Sequence, residues 1–392
     1  MQHVWEVAAV WMALALLASL VSIRLGVSVA LVEIAFGVFA GNVLQLTVTE
    51  WINVLAGIGA VVLTFLAGAE IDPESLRRHL KPSLAIGLAG FLFPFLGAAA
   101  FARFVAGWAP DSSWIAGLAL AATSVAVVYT VMVETGLNQT ELGKLILAAC
   151  FVNDLSTVMM LGLLFAGFDR WLLGFVLVTG LVLWPLPRLA RWVVATWGGR
   201  MSEPEVKFLL VVLFSLGWLA TRAGSEAVLP AYLIGLVLAG VFQQSRTTML
   251  RLRTIAFGTL TPFYFLKAGV FVSISSIASG AALIAAFLLV KIAVKSIGVW
   301  PLTQVFAMER RSGTYLTLLI STGLTFGIIS ALFGLTNGII DQAQYTVLVT
   351  AVVGSAVIPT LIAQAWFLPA SGPAGAVRAP AMDVPEPSQG ED

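Results

Sequence analysis

Thirteen nearly continuous apolar runs follow one another along the chain. They lie at roughly 4–23, 28–46, 51–71, 82–106, 114–135, 143–168, 171–196, 206–222, 228–243, 254–274, 280–306, 312–334 and 342–368. At about 1.5 Å per residue, helices of this length cross a hydrocarbon core of about 30 Å. Lipid gives the backbone no hydrogen-bond partner, so a spanning segment must be a helix or a strand in a closed barrel. These runs are too long and too uniformly apolar for barrel strands. Charged residues make up only 10% of the 392, against about 25% in soluble domains. The expected fold class is an all-α polytopic membrane protein with 13 transmembrane helices. The first run lacks a basic leader and a small-residue cleavage site, and reads as a retained helix. The single cysteine, Cys150, excludes an internal disulfide and a cysteine metal cluster. The tail 370–392, rich in Pro, Gly and acids, reads as short, disordered and cytoplasmic.

Orientation follows from the basic residues. Counting from the first terminus, fifteen of the 21 Lys and Arg fall on the opposite side, among them Arg77, Arg78, Arg188, Arg191, Arg310 and Arg311. Three, Arg103, Arg170 and Arg222, share the side of the first terminus. The positive-inside rule then puts the N-terminus outside and the C-terminus in the cytoplasm of a cell inner (plasma) membrane, which an odd number of spans requires. The chain also repeats weakly. FLAG at 65–68 recurs as FLKAG at 265–269, and FAG at 39–41 as LAG at 238–240. TSVAVVYT from Thr123 has its counterpart in STGLTFGI from Ser321, 198 residues on. A shared offset near 199 spans seven helices. Seven is odd, so the two halves, about 28–196 and 228–368, are expected to be inverted repeats within one membrane domain, 1–369. Inverted repeats with interrupted helices mark secondary transporters with a midplane site.

Within the run 143–168, GKLILAACFVNDLSTVMMLGLLFAGF, stands Asn153-Asp154. Asp154 lies roughly 16 Å from the start of the span, close to the bilayer midplane. A polar pair can simply glue two helices, but an acid without a cationic partner is costly there and points to function. One such carboxylate holds either a proton or a hard monovalent cation, not both, and that competition is the minimum apparatus of an exchanger. Thr123 and Ser124 sit in the middle of the fifth run. Such hydroxyls often only bond back to the backbone, yet small and β-branched neighbours allow a close crossing. Ser321, Thr322 and Gly323, with Thr325 and Gly327, look still more like an unwound segment, whose freed carbonyls and helix ends can coordinate a cation. Lys291 and Lys295 share one face of the eleventh run, too deep to snorkel, so at least one is expected to serve an acid or helix dipoles. Lys267 is also deep, and either snorkels or pairs with Glu33 or Asp154. Glu33 reads as a pore-lining or interface acid rather than an ion ligand. Glu70, Glu134 and Glu226 lie near helix ends and read as solvated, as do His3 and His79; Cys150 reads as core packing. No Walker loop, GxGxxG fold or filter-like loop is present, which argues against ATP drive, a nucleotide-binding regulatory domain and a channel.

These residues resemble the bacterial-type monovalent cation:proton antiporters of the sodium/proton exchanger superfamily, in its second branch. The likeness runs from about 20 to 365. It rests on RLGVSVALVEIAFGVFAGN at 24–42, LTFLAGAEIDPESLRRHLKPSLAIGLAGFLFPFLG at 63–97, TSVAVVYTVMVETGLNQTELGKLILAACFVNDLSTV at 123–158, TPFYFLKAG at 261–269 and KSIGVWPLTQVFAMERRS at 295–312. The resemblance implies a homodimer in the lipid bilayer, with a dimerisation domain and a core in which two broken helices cross and which moves like an elevator. It puts Asp154 on the essential aspartate, Asn153 where some members have a second acid, Thr123 and Ser124 on the first helix break, Ser321 to Gly323 near the second, and Lys295 on the core lysine. Lys291 is one turn away and ranks second; Lys267 has no family role. Asn-Asp members are usually electroneutral, so one-for-one exchange is implied.

The expected protein is therefore not an enzyme. It exchanges Na⁺ or K⁺ for H⁺, serves pH homeostasis, carries no cofactor and meets no nucleic acid. One rival is a sodium-coupled symporter of an organic anion, which needs a substrate-sized polar lining that the core lacks. The other is a channel or non-transporting sensor on the same scaffold.

Overall fold

The computed structural model describes residues 2–25, 28–69, 80–165, 170–223, 227–244 and 246–369. Glu70, Arg77, Arg78, His79, Glu226 and the tail 370–392 lie outside the described residues, as do the side chains of His3, Glu134 and Arg170. Among the described residues all regular structure is helical. In chain order the helices are α1 (Gln2–Leu25), α2 (Val29–Asn42), α3 (Glu50–Ala69), α4 (Leu80–Phe104), α5 (Pro110–Ala121), α6 (Val125–Glu134), α7 (Glu141–Phe165), α8 (Arg170–Leu183) and α9 (Leu186–Trp197). They continue as α10 (Pro204–Arg222), α11 (Val228–Gln244), α12 (Arg246–Ile255), α13 (Thr261–Val270), α14 (Ile274–Val305), α15 (Arg310–Ile320), α16 (Thr325–Thr336) and α17 (Gln342–Trp366).

Eight described segments are long and apolar enough to span a bilayer, and nine if the bent pair α8–α9 counts as one. Val29–Asn42 and Val228–Phe242 are shorter apolar helices. Local chemistry explains the departures from the apolar runs. The run 171–196 bends by 48° between α8 and α9, where Pro185 and Pro187 remove two backbone donors. Pro262 begins α13, just after a π-helical turn at Ala256–Leu260. Asp341 caps α17 by accepting from Gln344 N at 2.7 Å, while the Gln344 side chain accepts from Asp341 N at 3.0 Å, a reciprocal capping box.

Burial separates the centre from the periphery. In α14 only 11% of its most apolar window is buried, but α7 reaches 72% and the Arg310–Thr336 segment 83%. What α14 does bury is a single stripe, Phe287, Lys291, Lys295, Gly298, Val299 and Thr303, spaced by one or more turns on one face.

Two helix pairs meet backbone to backbone. A Cβ at Gly235 on α11 would lie 3.0 Å from Gly68 Cα on α3. A Cβ at Gly269 on α13 would lie 2.8 Å from Gly37 Cα on α2. Helices approach this closely only where neither carries a side chain, the small-residue packing used in membranes where the hydrophobic effect cannot press helices together. Gly235→Val and Gly269→Val should each destabilise by about 1–3 kcal/mol, as overpacking does, and lower Tm in detergent. Gly174→Val on α8, whose Cβ meets nothing within 4 Å, should leave Tm unchanged.

Candidate functional site

Two of the central helices stop inside the protein. The chain leaves α5 after Ala121, runs extended through Ala122–Ser124 and resumes as α6; it leaves α15 after Ile320 and resumes as α16 at Thr325. Each stop exposes carbonyls that lack a partner along the helix, and each restart exposes N–H groups. Together the stops present partial negative charge and the restarts partial positive charge. The two breaks touch. Thr123 Oγ1 donates to Ile320 O at 3.0 Å, and a Cβ at Gly323 would sit 2.8 Å from Ala122 O.

The lysines of α14 answer the stops. Lys295 Nζ donates to Ile320 O at 2.8 Å, to Thr123 Oγ1 at 3.0 Å and to Ala122 O at 3.3 Å. Three donors meet three acceptors, so the ammonium is fully spent. Lys291 Nζ donates to the same Ala122 O at 3.1 Å. Both lysines are 0% exposed. A side chain at Gly323 would overlap the Lys291 ammonium, so glycine is needed there to admit it. Of the two roles open to Lys295, serving helix ends or pairing with the acid, the geometry is that of the first. Among the described residues no ion pair within 4.0 Å joins Asp154 to either lysine. Lys291, ranked second from the sequence, shares the work.

Asp154 answers a restart. Its carboxyl faces the backbone N–H groups of Thr123 and Val125 at the start of α6, the end of a helix that attracts an anion. Ser124 is a weak cap there, its Oγ accepting from Val127 N at 3.4 Å. Yet Asp154 Oδ1 has no partner, and neither Oδ1 nor Nδ2 of Asn153 has one. Asp154 is 2% and Asn153 0% exposed. Buried polar atoms are almost always paired, so three idle ones at adjacent positions mark unused ligand capacity. Ser321 Oγ and Thr322 Oγ1 donate back to Thr317 O and Leu319 O at 2.8 and 2.7 Å, which leaves their lone pairs free. Among the described residues no group of three His, Cys, Asp or Glu comes together. A cation here would meet one carboxylate, an amide and neutral oxygens.

Tyr232 is the neighbour that the sequence gives no reason to single out. It is fully buried on α11, donates to Phe151 O at 3.3 Å, stacks on the Phe151 ring and meets Phe326 edge-on. It thus ties α11 to α7 and α16 close to Asp154. The other secondary candidates lie apart. Glu33 on α2 is 2% exposed with Oε2 unpaired. Lys267 on α13 is 7% exposed and, among the described residues, forms no ion pair with Glu33 or Asp154. Cys150 is a buried free thiol within an apolar cluster.

Residues 12–368 match the family model described as sodium/hydrogen exchanger, transmembrane. The chain is 25% identical over 352 residues to the probable Na(+)/H(+) antiporter 3 of Methanocaldococcus jannaschii, covering 87% of this chain and 90% of that protein. It is 24% identical over 351 residues to the Na(+)/H(+)-K(+) antiporter GerN of Bacillus cereus, covering 86% and 89%. Its fold is similar to that of the sodium proton antiporter MjNhaP1 from Methanocaldococcus jannaschii, with a TM-score of 0.70 and 15% identity over 93% of this chain and 97% of that one.

Removing the Lys295 ammonium should leave the buried Ile320 O with Thr123 Oγ1 as its one donor and Ala122 O with Lys291 alone. Lys295→Met should therefore cost about 3 kcal/mol of stability, and Thr123→Val, which loses one hydroxyl, about 1 kcal/mol. Thermal unfolding of the two variants in detergent reads the difference.

Proposed function

The chain belongs to the sodium/hydrogen exchanger family, and from that premise we propose that it is a secondary active antiporter that exchanges Na⁺, or K⁺, for H⁺ at Asp154. The observation that carries this reading is the idle Oδ1 of Asp154, with the idle amide of Asn153 at the adjacent position of α7. In a dry site a bare carboxylate is costly and is offset by a proton or by a cation. A cation gains the Asn153 oxygen and the free lone pairs near the breaks; a proton satisfies the carboxylate alone. Because the two occupants exclude each other, the carrier crosses loaded with one or the other, and the proton gradient drives the cation.

Asn153 leaves one exchangeable acid in the site, which favours one-for-one, electroneutral exchange. Lys295 is committed to the helix ends, so its charge belongs to the scaffold in this reading and stays throughout the cycle. The paired glycine contacts, α3 on α11 and α2 on α13, support inverted repeats, since FLAG and FLKAG supply the equivalent glycines Gly68 and Gly269. With them go thirteen spans, a core carrying α5–α6, α7 and α15–α16, a dimerisation domain, and alternating access by an elevator-like movement of the core. A homodimer in the plasma membrane, N-terminus outside, completes the proposal.

In proteoliposomes, Asp154→Asn should abolish cation-driven proton movement while retaining the wild-type Tm; a fully active variant refutes the assignment. Raising pH removes the competing proton, so the apparent KM for Na⁺ should fall in proportion to proton concentration until the site is mostly unprotonated. Exchange by the wild-type protein should not respond to a clamped membrane potential, whereas Asn153→Asp should make it respond.

A further inference from the structure

Away from the exchange site lies a cavity of about 420 Å³ bounded by α3, α10, α13 and α16. That volume is in the range of small-molecule sites. Lys267 and Tyr264 line it, at 7% and 2% exposure. Tyr264 Oη has no partner. Among the described residues Lys267 Nζ has neither an ion pair nor a hydrogen bond. An ammonium buried in the protein without a partner is costly at any depth, and nothing in the exchange chemistry uses it.

Three features say what would offset it. First, the polar members share one depth. Lys267 stands three residues before the end of α13, Asn53 three after the start of α3, and Thr336 ends α16. All lie within about one turn, roughly 5 Å, of a helix end, the level of lipid headgroups. Second, the cavity has an exposed apolar wall: Phe214 and Trp218 of α10 line it and are 44% and 60% exposed. Third, a second cation stands beside a lining residue: the Arg222 guanidinium lies 5.9 Å from the Trp218 ring centre.

We propose that this cavity seats an anionic phospholipid, its phosphate between Lys267 and Arg222 with Tyr264 donating to it, and one acyl chain along Phe214 and Trp218. An anion satisfies both idle groups at once, and only an amphiphile also covers the exposed aromatic wall. The site does not depend on the antiport assignment.

The test compares phosphatidylcholine vesicles with and without phosphatidylglycerol. Wild-type protein should gain several degrees of Tm from phosphatidylglycerol and retain it through detergent washing, as a lipid adduct in native mass spectrometry. Lys267→Arg should keep the gain and Lys267→Gln should lose it. Arg191→Gln, an exposed basic residue on α9, should keep it. The proposal is overturned if Lys267→Gln gains as much as wild type, or if the washed wild-type protein holds no phosphatidylglycerol. It is also overturned if inorganic phosphate in phosphatidylcholine vesicles gives the same gain, which would make this a site for free anions. Should Lys267→Gln not fold, the wild-type adduct and the Lys267→Arg gain decide.

Discussion

A carbonyl oxygen in the middle of a bilayer has no water to turn to, and this chain creates several on purpose. Ending α5 at Ala121 and α15 at Ile320 strips the last carbonyls of both helices of their usual donors. The rest of the site follows from that debt. Two lysines and a threonine hydroxyl supply the donors, and the lysines must come from a helix that passes the crossing at its midpoint. That helix is α14, the longest among the described residues. It buries one stripe, which carries both lysines, and little else.

The result is a division of labour among buried polar groups. Thr123, Lys291 and Lys295 are consumed by structure. Asn153 and Asp154 are left over by it. Their idle state depends on tight packing around α7: a Cβ at Gly87 on α4 would lie 2.7 Å from Ala149 O, and one at Gly90 would lie 3.4 Å from Asn153 Nδ2. Larger residues there would fill the space beside the amide. The exchange proposed at Asp154 would need ligands that the scaffold does not claim, and these idle groups supply that need.

Depth was legible in the sequence; direction around the helix axis was not. Position within an apolar run marked Asp154, Lys291 and Lys295 as deep, and the structure buries all three; Thr123-Ser124 in the fifth run and Ser321-Thr322-Gly323 in the twelfth marked both breaks. Run length cannot say which way a side chain points. So Lys295 stood open between the acid and the helix ends, and Lys291 ranked below it although the two share an acceptor. Lys267 had two acids, Glu33 and Asp154, as conceivable partners by depth and, among the described residues, pairs with neither. Tyr232 was missed because an aromatic in an apolar run is ordinary until its neighbours are known. The 48° bend between α8 and α9 was signalled by Pro185 and Pro187, yet hydropathy alone reads straight through them.

The paired glycine contacts bear on how such a chain can come to be folded. Gly68 and Gly37 belong to the first half of the sequence, and the backbones they fit, at Gly235 and Gly269, belong to the second. These four helices thus find their backbone-to-backbone partners across the two halves. While the first two hundred residues are made, α2 has α1 to pack against, but the glycine faces of α2 and α3 wait until α11 and α13 arrive. The two halves are strands of one knotless braid. Neither is a module that could be cut out, exchanged or evolved alone without leaving the other unfinished.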